Sequence, residues 1–459
     1  MDAQEIHSMV DSMRVWYKQG GSRPVKARKQ ALTKLRDTIL AMEDEINAAL
    51  KADLNKSETE TYMCETGMTL AELNYVRKHF AKWDKKHRVL TPLAQFPSKS
   101  YTVQEPYGVV LIMSPWNYPF MLTMAPLVGA IAAGNCCVVK PSAYSPATSA
   151  IIAKIVEACF PKEWVTVIRG GRAENQALLD QKFDYIFFTG GVNVGKEVMR
   201  RASETLTPVT LELGGKSPVI VDKTAKLKVA ARRLVFGKLL NCGQTCVAAD
   251  YLLIHKSVKD EFIGYVKQFM EAQYGTNAID NEGYVHIIND KHYERIMGLI
   301  DPAKVVLGGK GDPEKRAIQP TILDNVSPDD AVMQEEIFGP ILPVLTFDDI
   351  EEAVTFINDR PHPLALYLFT EDKQVVKRFQ ADVPFGGGCI NDTIMHIVTS
   401  RMPFGGVGDS GMGGYHGKYG YDTFSHKKSV LNKATWLDMP VRYAPYSKLQ
   451  KKLLRIFLK

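Results

Sequence analysis

The feature that most constrains this chain is an alternation, made twice along its length, of short apolar runs with amphipathic helices. Val109–Met113, Cys136–Val139, Val165–Ile168 and Asp184–Phe188 are brief and rich in β-branched or aromatic residues, with helix-like stretches at Pro126–Ala133 and Pro146–Cys159. Runs that are apolar throughout suit strands buried on both faces, and the helices supply the crossovers that parallel strands need. A second alternation starts near Pro208. It passes through Ser217–Val221, the helical Leu227–Leu240, Tyr251–His255, the helical Val258–Gln273 and Ile341–Thr346. Two α/β units in tandem are the economical reading, and 459 residues exceed what one core usually holds. Ahead of them, residues 1–90 read as helices, with helical spacing in Ala31–Leu50 and Glu65–Trp83, and residues 101–112 turn to strand-forming types. The glycine-dense stretch 403–420 reads as a loop that passes close to something.

Composition narrows the function classes. Lys and Arg number 57 against 51 Asp and Glu, a net charge of +6 spread over the chain, so no nucleic-acid partner is expected. The 7 cysteines are scattered without a CxxC pair or zinc spacing, which predicts free thiols and no metal site. Met1–Val10 lacks the apolar centre of a signal peptide, and no run is long enough to span a bilayer, so a cytoplasmic location is expected. The tail, residues 448–459, carries five cations with Leu449, Leu453, Ile456 and Phe457 on one helical face. It reads either as a helix docked on the body or on a neighbouring subunit, or as a cationic helix lying on the inner membrane surface.

Four segments carry chemistry. In Asn241-Cys242-Gly243-Gln244-Thr245-Cys246 the glycine argues for a turn, and local chemistry leaves Cys246 open between a small buried hydrophobe and a nucleophile. Glu212 interrupts the apolar Leu211–Leu213 before a Gly pair, either reaching solvent at a strand end or buried with a raised pKa and poised to take a proton from water. Pro115-Trp116-Asn117-Tyr118-Pro119 is stiffened by its prolines, which would hold the Asn117 amide as a fixed donor. Phe187–Lys196 joins a strand to a helix with glycines at 190, 191 and 195, a spacing that would admit a pyrophosphate without being G-x-G-x-x-G.

Together PWNYP (115–119), VVKPS (138–142), FFTGGVNVGK (187–196), LELGGKSP (211–218), NCGQTC (241–246), EEIFGP (335–340) and the long 403–430 stretch resemble the aldehyde dehydrogenase superfamily, in order and over nearly the whole chain. The short N-terminal arm and GMGGYHGKYGYDTFSH resemble its class 3 branch, which includes fatty-aldehyde enzymes. The resemblance implies an α/β fold with a Rossmann-like cofactor domain (1–95 and 106–210 with part of 401–430) and an α/β catalytic domain (211–400). It also implies a bridging, oligomerising β element (97–105 and 431–446), hence a homodimer. It implies that NAD or NADP oxidises an aldehyde to its acid. Cys246 would attack the aldehyde carbon, Asn117 and the Cys246 N–H would hold the oxyanion, and Glu212 would activate the water that hydrolyses the thioester. Lys140 would reach the adenosine ribose and Glu336 the nicotinamide ribose. Phe338 and Trp116 would pack near the nicotinamide, and Thr189, Gly190, Gly191 and Gly195 would form the phosphate turn.

Three departures stand out. Ala143 replaces a ribose-binding Glu, so NADP is expected to be tolerated beside NAD. Gly191 replaces a common Ser. Cys242 brings a second thiol near the nucleophile, as filler or as a partner in a protective disulfide. The expected substrates are medium- or long-chain aliphatic or aromatic aldehydes, with Tyr62, Tyr118, Ile394, Met395 and His396 as channel residues. His396 and His416 are expected to be structural. The alternatives are a biosynthetic semialdehyde or carotenoid-aldehyde dehydrogenase and, outside enzymes, a membrane-surface binding module.

Overall fold

A computed structural model describes residues 2–457. It has two parallel-rich sheets with helices against them, plus a small antiparallel sheet. The six-stranded sheet runs in the order Gly411–Met412, Val209–Glu212, Tyr185–Thr189, Val109–Met113, Cys136–Lys140, Val165–Val167, and only the first strand is antiparallel to its neighbour. Its three inner strands, from Tyr185 to Lys140, are buried at every position, which is why they read as unbroken apolar runs. The seven-stranded sheet runs Val305–Leu307, Thr321–Leu323, Ile341–Phe347, Tyr251–His255, Pro218–Val221, Ala365–Phe369, Gly387–Ile390. The chain crosses between the sheets in the short segment between Glu212 and Pro218, so the LELGGKSP stretch is the junction itself.

Structure and expectation part at several places, and the stretch 403–420 expected as a loop holds the strand Gly411–Met412 and the start of the helix Gly417–Thr423. The helix expected over Ala31–Leu50 is two helices, Val25–Ala41 and Glu43–Leu54, broken at Met42 (φ −110°, ψ 19°). Glu43, Asp44 and Glu45 open the second one, acidic residues where the helix dipole favours them. The helix expected from Glu65 begins at Gly67, after a π turn at Tyr62–Thr66 in which the Gly67 N–H reaches back to the Tyr62 carbonyl. A Cβ on Gly67 would collide with that carbonyl, so glycine is required there. The second bridging strand is Ser425–Lys433, not 431–446; it pairs antiparallel with Ser98–Pro106 through nine residues from Ser425↔Pro106 to Lys433↔Ser98. His87–Val89 completes this sheet on the other side of Ser98–Pro106. The run SHKKSVLNK has too little alternation to announce a strand, and pairing overrides its propensity.

The C-terminal helix spans Lys448–Phe457. Leu449 and Ile456 are exposed while Leu454 lines a groove with Leu93, Phe96 and Val441. The Phe457 side chain and the last two residues of the expected tail lie outside the described residues. Among the described residues no helix is long and apolar enough to cross a membrane.

Candidate active site

The six-stranded sheet ends its parallel strands along one edge, and the predicted site residues gather there. Lys140, Thr189 and Glu212 are each the last residue of a strand, and the Pro115–Pro119 loop follows Val109–Met113 closely. Carboxyl ends of parallel strands are where open α/β sheets place ligands. A cleft of about 510 Å³ opens at this edge. Trp116, Asn117, Thr189, Gly190, Gly191, Glu212, Cys246, Glu336 and Phe338 all face it, nine of the eleven residues singled out from sequence.

The nucleophile turn is held in an unusual conformation. Asn241, Cys242 and Gly243 follow one another at φ 54°, 54° and 73°, in the left-handed region that costs non-glycine residues energy. At Gly243 a Cβ would collide with the Gly339 carbonyl, so the EEIFGP loop packs directly on the turn. The Asn117 amide nitrogen donates to the Gln244 carbonyl at 3.0 Å, which leaves its second N–H free for another acceptor. Cys246 is half-buried. Burial, with Glu336 and Glu212 nearby, pushes its thiol up to about 12, against a smaller opposing pull from the N–H groups of Cys246 and Val247. At neutral pH Cys246 is therefore a thiol, which would have to lose its proton to act as a nucleophile.

Two carboxyl groups share the cleft. Glu212 is 2 % exposed, neither of its oxygens has a partner among the described residues, and desolvation drives its pKa well above the carboxylate range. Its backbone pairs with Gly411, which fixes the strand end. Glu336 is raised to about 8, first by burial and then by Asp250, with the Gly215 N–H pulling the other way. A Cβ at Gly214 would displace the Glu336 carboxyl, which lies directly against the glycine. The loop carrying Glu336 is pinned from below. Lys216 binds Asp250 and the carbonyls of Val332 and Glu335, and Asp250 accepts the Ile337 N–H at 2.9 Å.

A dinucleotide fits what this cleft leaves open. Thr189 Oγ1 and Glu336 Oε1 are buried without partners among the described residues. Helix Val192–Ser203 starts at the cleft with Gly191 as its cap, and the Val192 and Asn193 N–H groups carry no partner among the described residues. Gly191 faces open space, whereas the other turn glycine, Gly190, is crowded by the Phe188 ring. Trp116 lies edge-on to Phe338 at 5.3 Å, giving the cleft an aromatic wall. Two predicted cofactor residues lie elsewhere. Gly195 packs against Leu213, where a side chain would clash, so its glycine serves helix packing instead of the phosphate turn. Lys140 is outside the cleft wall, donating to the Pro141 carbonyl at 2.9 Å and the Gly170 carbonyl at 2.7 Å; burial lowers its pKa to about 8 and Glu174 opposes that. Glu174, unsuspected from sequence, accepts the Gly171 N–H at 2.7 Å beside this lysine.

Cys246 also faces a second cavity of about 210 Å³, walled by apolar groups. Tyr118, Ile394 and Met395 line it as expected, joined by Met63, Met68, Met121, Phe236 and Phe404, which sequence reasoning missed. These are ordinary core residue types from separate segments, and no local pattern marks them. Tyr62 does not line it: the π turn leaves Tyr62 53 % exposed and swings Met63 and Cys64 inward. His396 also stands back, its Nδ1 3.6 Å from Cys389 Sγ. His416 does line the cavity; burial lowers both imidazoles to about 4, so both are neutral. Cys242 is fully buried, donates to Tyr284 Oη at 3.3 Å and lines neither cavity, which removes the support for its pairing with Cys246.

Residues 1–430 match the Aldehyde dehydrogenase family. The chain is 49% identical to the 4,4'-diaponeurosporen-aldehyde dehydrogenase of Staphylococcus aureus, over 95% of this chain and 96% of that protein. It is 44% identical to aldehyde dehydrogenase family 3 member A2 of Rattus norvegicus, over 99% and 94%. The solved substrate-bound state of Staphylococcus aureus AldH superposes with a TM-score of 0.97 at 47% identity, covering 99% of each chain. A cysteine between an apolar cavity and a dinucleotide-shaped cleft, on this fold and with these relatives, has one reading: the chain belongs to the aldehyde dehydrogenase family and is an oxidoreductase that oxidises aldehydes with NAD or NADP.

Proposed function

We propose that this enzyme oxidises medium- or long-chain aliphatic or aromatic aldehydes to their acids, with Cys246 as nucleophile and water as the final acyl acceptor. One observation carries the reading: Cys246 is the thiol at which an apolar cavity and a polar cleft meet. The apolar side receives the aldehyde chain, and its methionines Met63, Met68, Met121 and Met395 can repack around chains of different shape. Sulfur bonds to the aldehyde carbon, and the developing oxyanion takes the free N–H of Asn117 and the backbone N–H at Cys246. Bound in the cleft, the nicotinamide supplies the two-electron acceptor for the aldehyde. Desolvation holds a proton on Glu212, which must be lost first; once ionised, the unpaired carboxylate is a stronger base than a solvated one and takes the proton of the water that releases the acid from sulfur. Gly191 and the N-terminus of helix Val192–Ser203 would cradle the pyrophosphate, the unpartnered Oε1 of Glu336 would accept from the nicotinamide ribose, and Lys140 would have to leave the Pro141 and Gly170 carbonyls to reach the adenosine ribose.

Dual use of NAD and NADP belongs to the same proposal. Ala143 offers no carboxylate to repel a 2′-phosphate, while Glu174 beside Lys140 opposes one. A homodimer is supported by the outer edge of Ser425–Lys433, nine residues with no strand beyond it among the described residues. Peripheral contact with the inner face of a membrane, from a cytoplasmic location, is supported by Leu449 and Ile456 exposed among the tail cations. A biosynthetic carotenoid aldehyde is the second reading of the substrate, and the relative named for 4,4'-diaponeurosporen-aldehyde is the observation that favours it.

The test is formation of reduced cofactor from a panel of aldehydes of increasing chain length plus benzaldehyde, with NAD and with NADP, beside Cys246→Ala. Turnover that rises with chain length and vanishes in the variant is expected. Turnover that survives Cys246→Ala would remove the nucleophile assigned here.

A further inference from the structure

Beneath the active site lies a group of buried charges that touch neither cavity. Lys56 and Glu65 form an ion pair at 2.7 Å with both side chains fully buried, and Glu60 sits beside them at 7 % exposure. A pair this deep is a poor stability device, because desolvation consumes most of its attraction and apolar replacements often serve as well. These charges are instead spent on the backbone of the two active-site loops. Lys56 Nζ donates to the Asn117 carbonyl at 3.2 Å and lies 4.2 Å from the Tyr118 ring centre. Glu65 Oε2 accepts the Phe120 and Met121 N–H groups at 3.1 and 2.9 Å, capping the helix that follows the Asn117 loop. Glu60 Oε1 accepts the Asn241 N–H at 2.7 Å, the first residue of the left-handed run in the nucleophile turn.

The two loops are also tied to each other. Asn241 Nδ2 donates to the Asn117 carbonyl at 2.8 Å and to the Gln244 carbonyl at 3.0 Å, and Tyr118 Oη meets Thr245 Oγ1 at 2.6 Å. Strained backbone persists where its surroundings over-determine it, and here the surroundings are this network. The π turn at Tyr62–Thr66 lets one segment do two things. It keeps Glu60 and Glu65 under the loops while Met63 and Cys64 face the apolar cavity. Burial leaves Glu60 and Glu65 raised on balance, and Lys56 is the largest influence opposing it at each, helped by the loop N–H groups that they accept.

We propose that Lys56, Glu60 and Glu65 are positioning residues that set the Asn117 amide against the Cys246 turn. The proposal rests on the reading of Asn117 as oxyanion donor. Its signature is loss of the chemical step without loss of substrate binding or of thiol reactivity.

The experiment is a double-mutant cycle in the full-length enzyme with NAD and hexanal, reading the pre-steady-state burst rate, KM and the rate of Cys246 alkylation by iodoacetamide. For Glu65→Gln we expect the burst to slow about 10- to 100-fold, short of the ~100- to 1,000-fold for a lost oxyanion donor. KM and alkylation should each stay within about threefold. The double variant Glu65→Gln/Asn117→Ala should be no slower than Asn117→Ala alone, because both remove the same interaction. Losses that multiply in the double variant, or an unchanged burst in Glu65→Gln, overturn the positioning role while leaving Asn117 in place. An unchanged burst in Asn117→Ala overturns the oxyanion reading and the proposal with it. Glu60→Gln, combined with Asn117→Ala in the same cycle, carries the test if Glu65→Gln does not fold.

Discussion

The two cavities that meet at Cys246 are built by opposite means. The polar cleft is built largely from loops, three of them at a strand end or just after one, with His292 and Arg295 from a helix and the Glu335–Phe338 loop closing it, and its walls include glycines, backbone N–H groups, an aromatic pair and unpartnered carboxyls. The apolar cavity takes its walls from at least five separated segments, among them the π turn, the helix from Met121, the helix holding Phe236 and the Ile394–Val398 stretch. One side needs particular atoms at particular places and so tolerates few residue types. The other needs only apolar volume of the right shape, which many residue combinations supply. Cofactor chemistry should therefore be brittle to single changes, and substrate choice plastic.

Glu212→Gln is the sharpest break on the polar side. It should leave the burst of reduced cofactor intact and slow steady-state turnover by about 100- to 10,000-fold, the usual worth of a general base; a lost burst would place Glu212 before acylation. The protonation state of the nucleophile comes next. With its thiol pushed up to about 12, alkylation of Cys246 in the cofactor-free enzyme should rise about tenfold per pH unit and still be rising past pH 10. A plateau near pH 9 would mean an unperturbed thiol and a wetter site than the structure shows. On the apolar side, Met68→Trp should shorten the cavity and cut kcat/KM for the longest aldehydes by about 10- to 200-fold relative to short ones. Equal losses at every chain length would mean that the chain runs elsewhere. The smallest effect belongs to Glu174→Gln, which should raise the NADP-to-NAD ratio of kcat/KM about two- to fivefold, the scale of one exposed charge pair. No change would detach Glu174 from the cofactor.

The sequence by itself determined the strands that are unbroken apolar runs, the order of the motifs and most of the polar cleft. Strands such as Val109–Met113 and Tyr251–His255 appear where their apolar runs predict them, because burial on both faces leaves little freedom of composition. Glu212 was legible as a carboxylate interrupting an apolar strand, whereas Cys246 and Asn117 stood out only through the ordered motifs that resemble the aldehyde dehydrogenase superfamily. What only the tertiary structure decided is what depends on partners distant in sequence. Ser425–Lys433 is a strand because Ser98–Pro106 lies beside it. Tyr62 leaves the channel and Met63 enters it because of one π turn. Gly195 is a packing residue because Leu213 fills the space over it. Nothing in the local pattern singles out Lys56, Glu60 and Glu65, and only the fold buries them under loops distant in sequence. Local pattern reports what a residue can do, but burial and contact depend on the whole chain having folded around it.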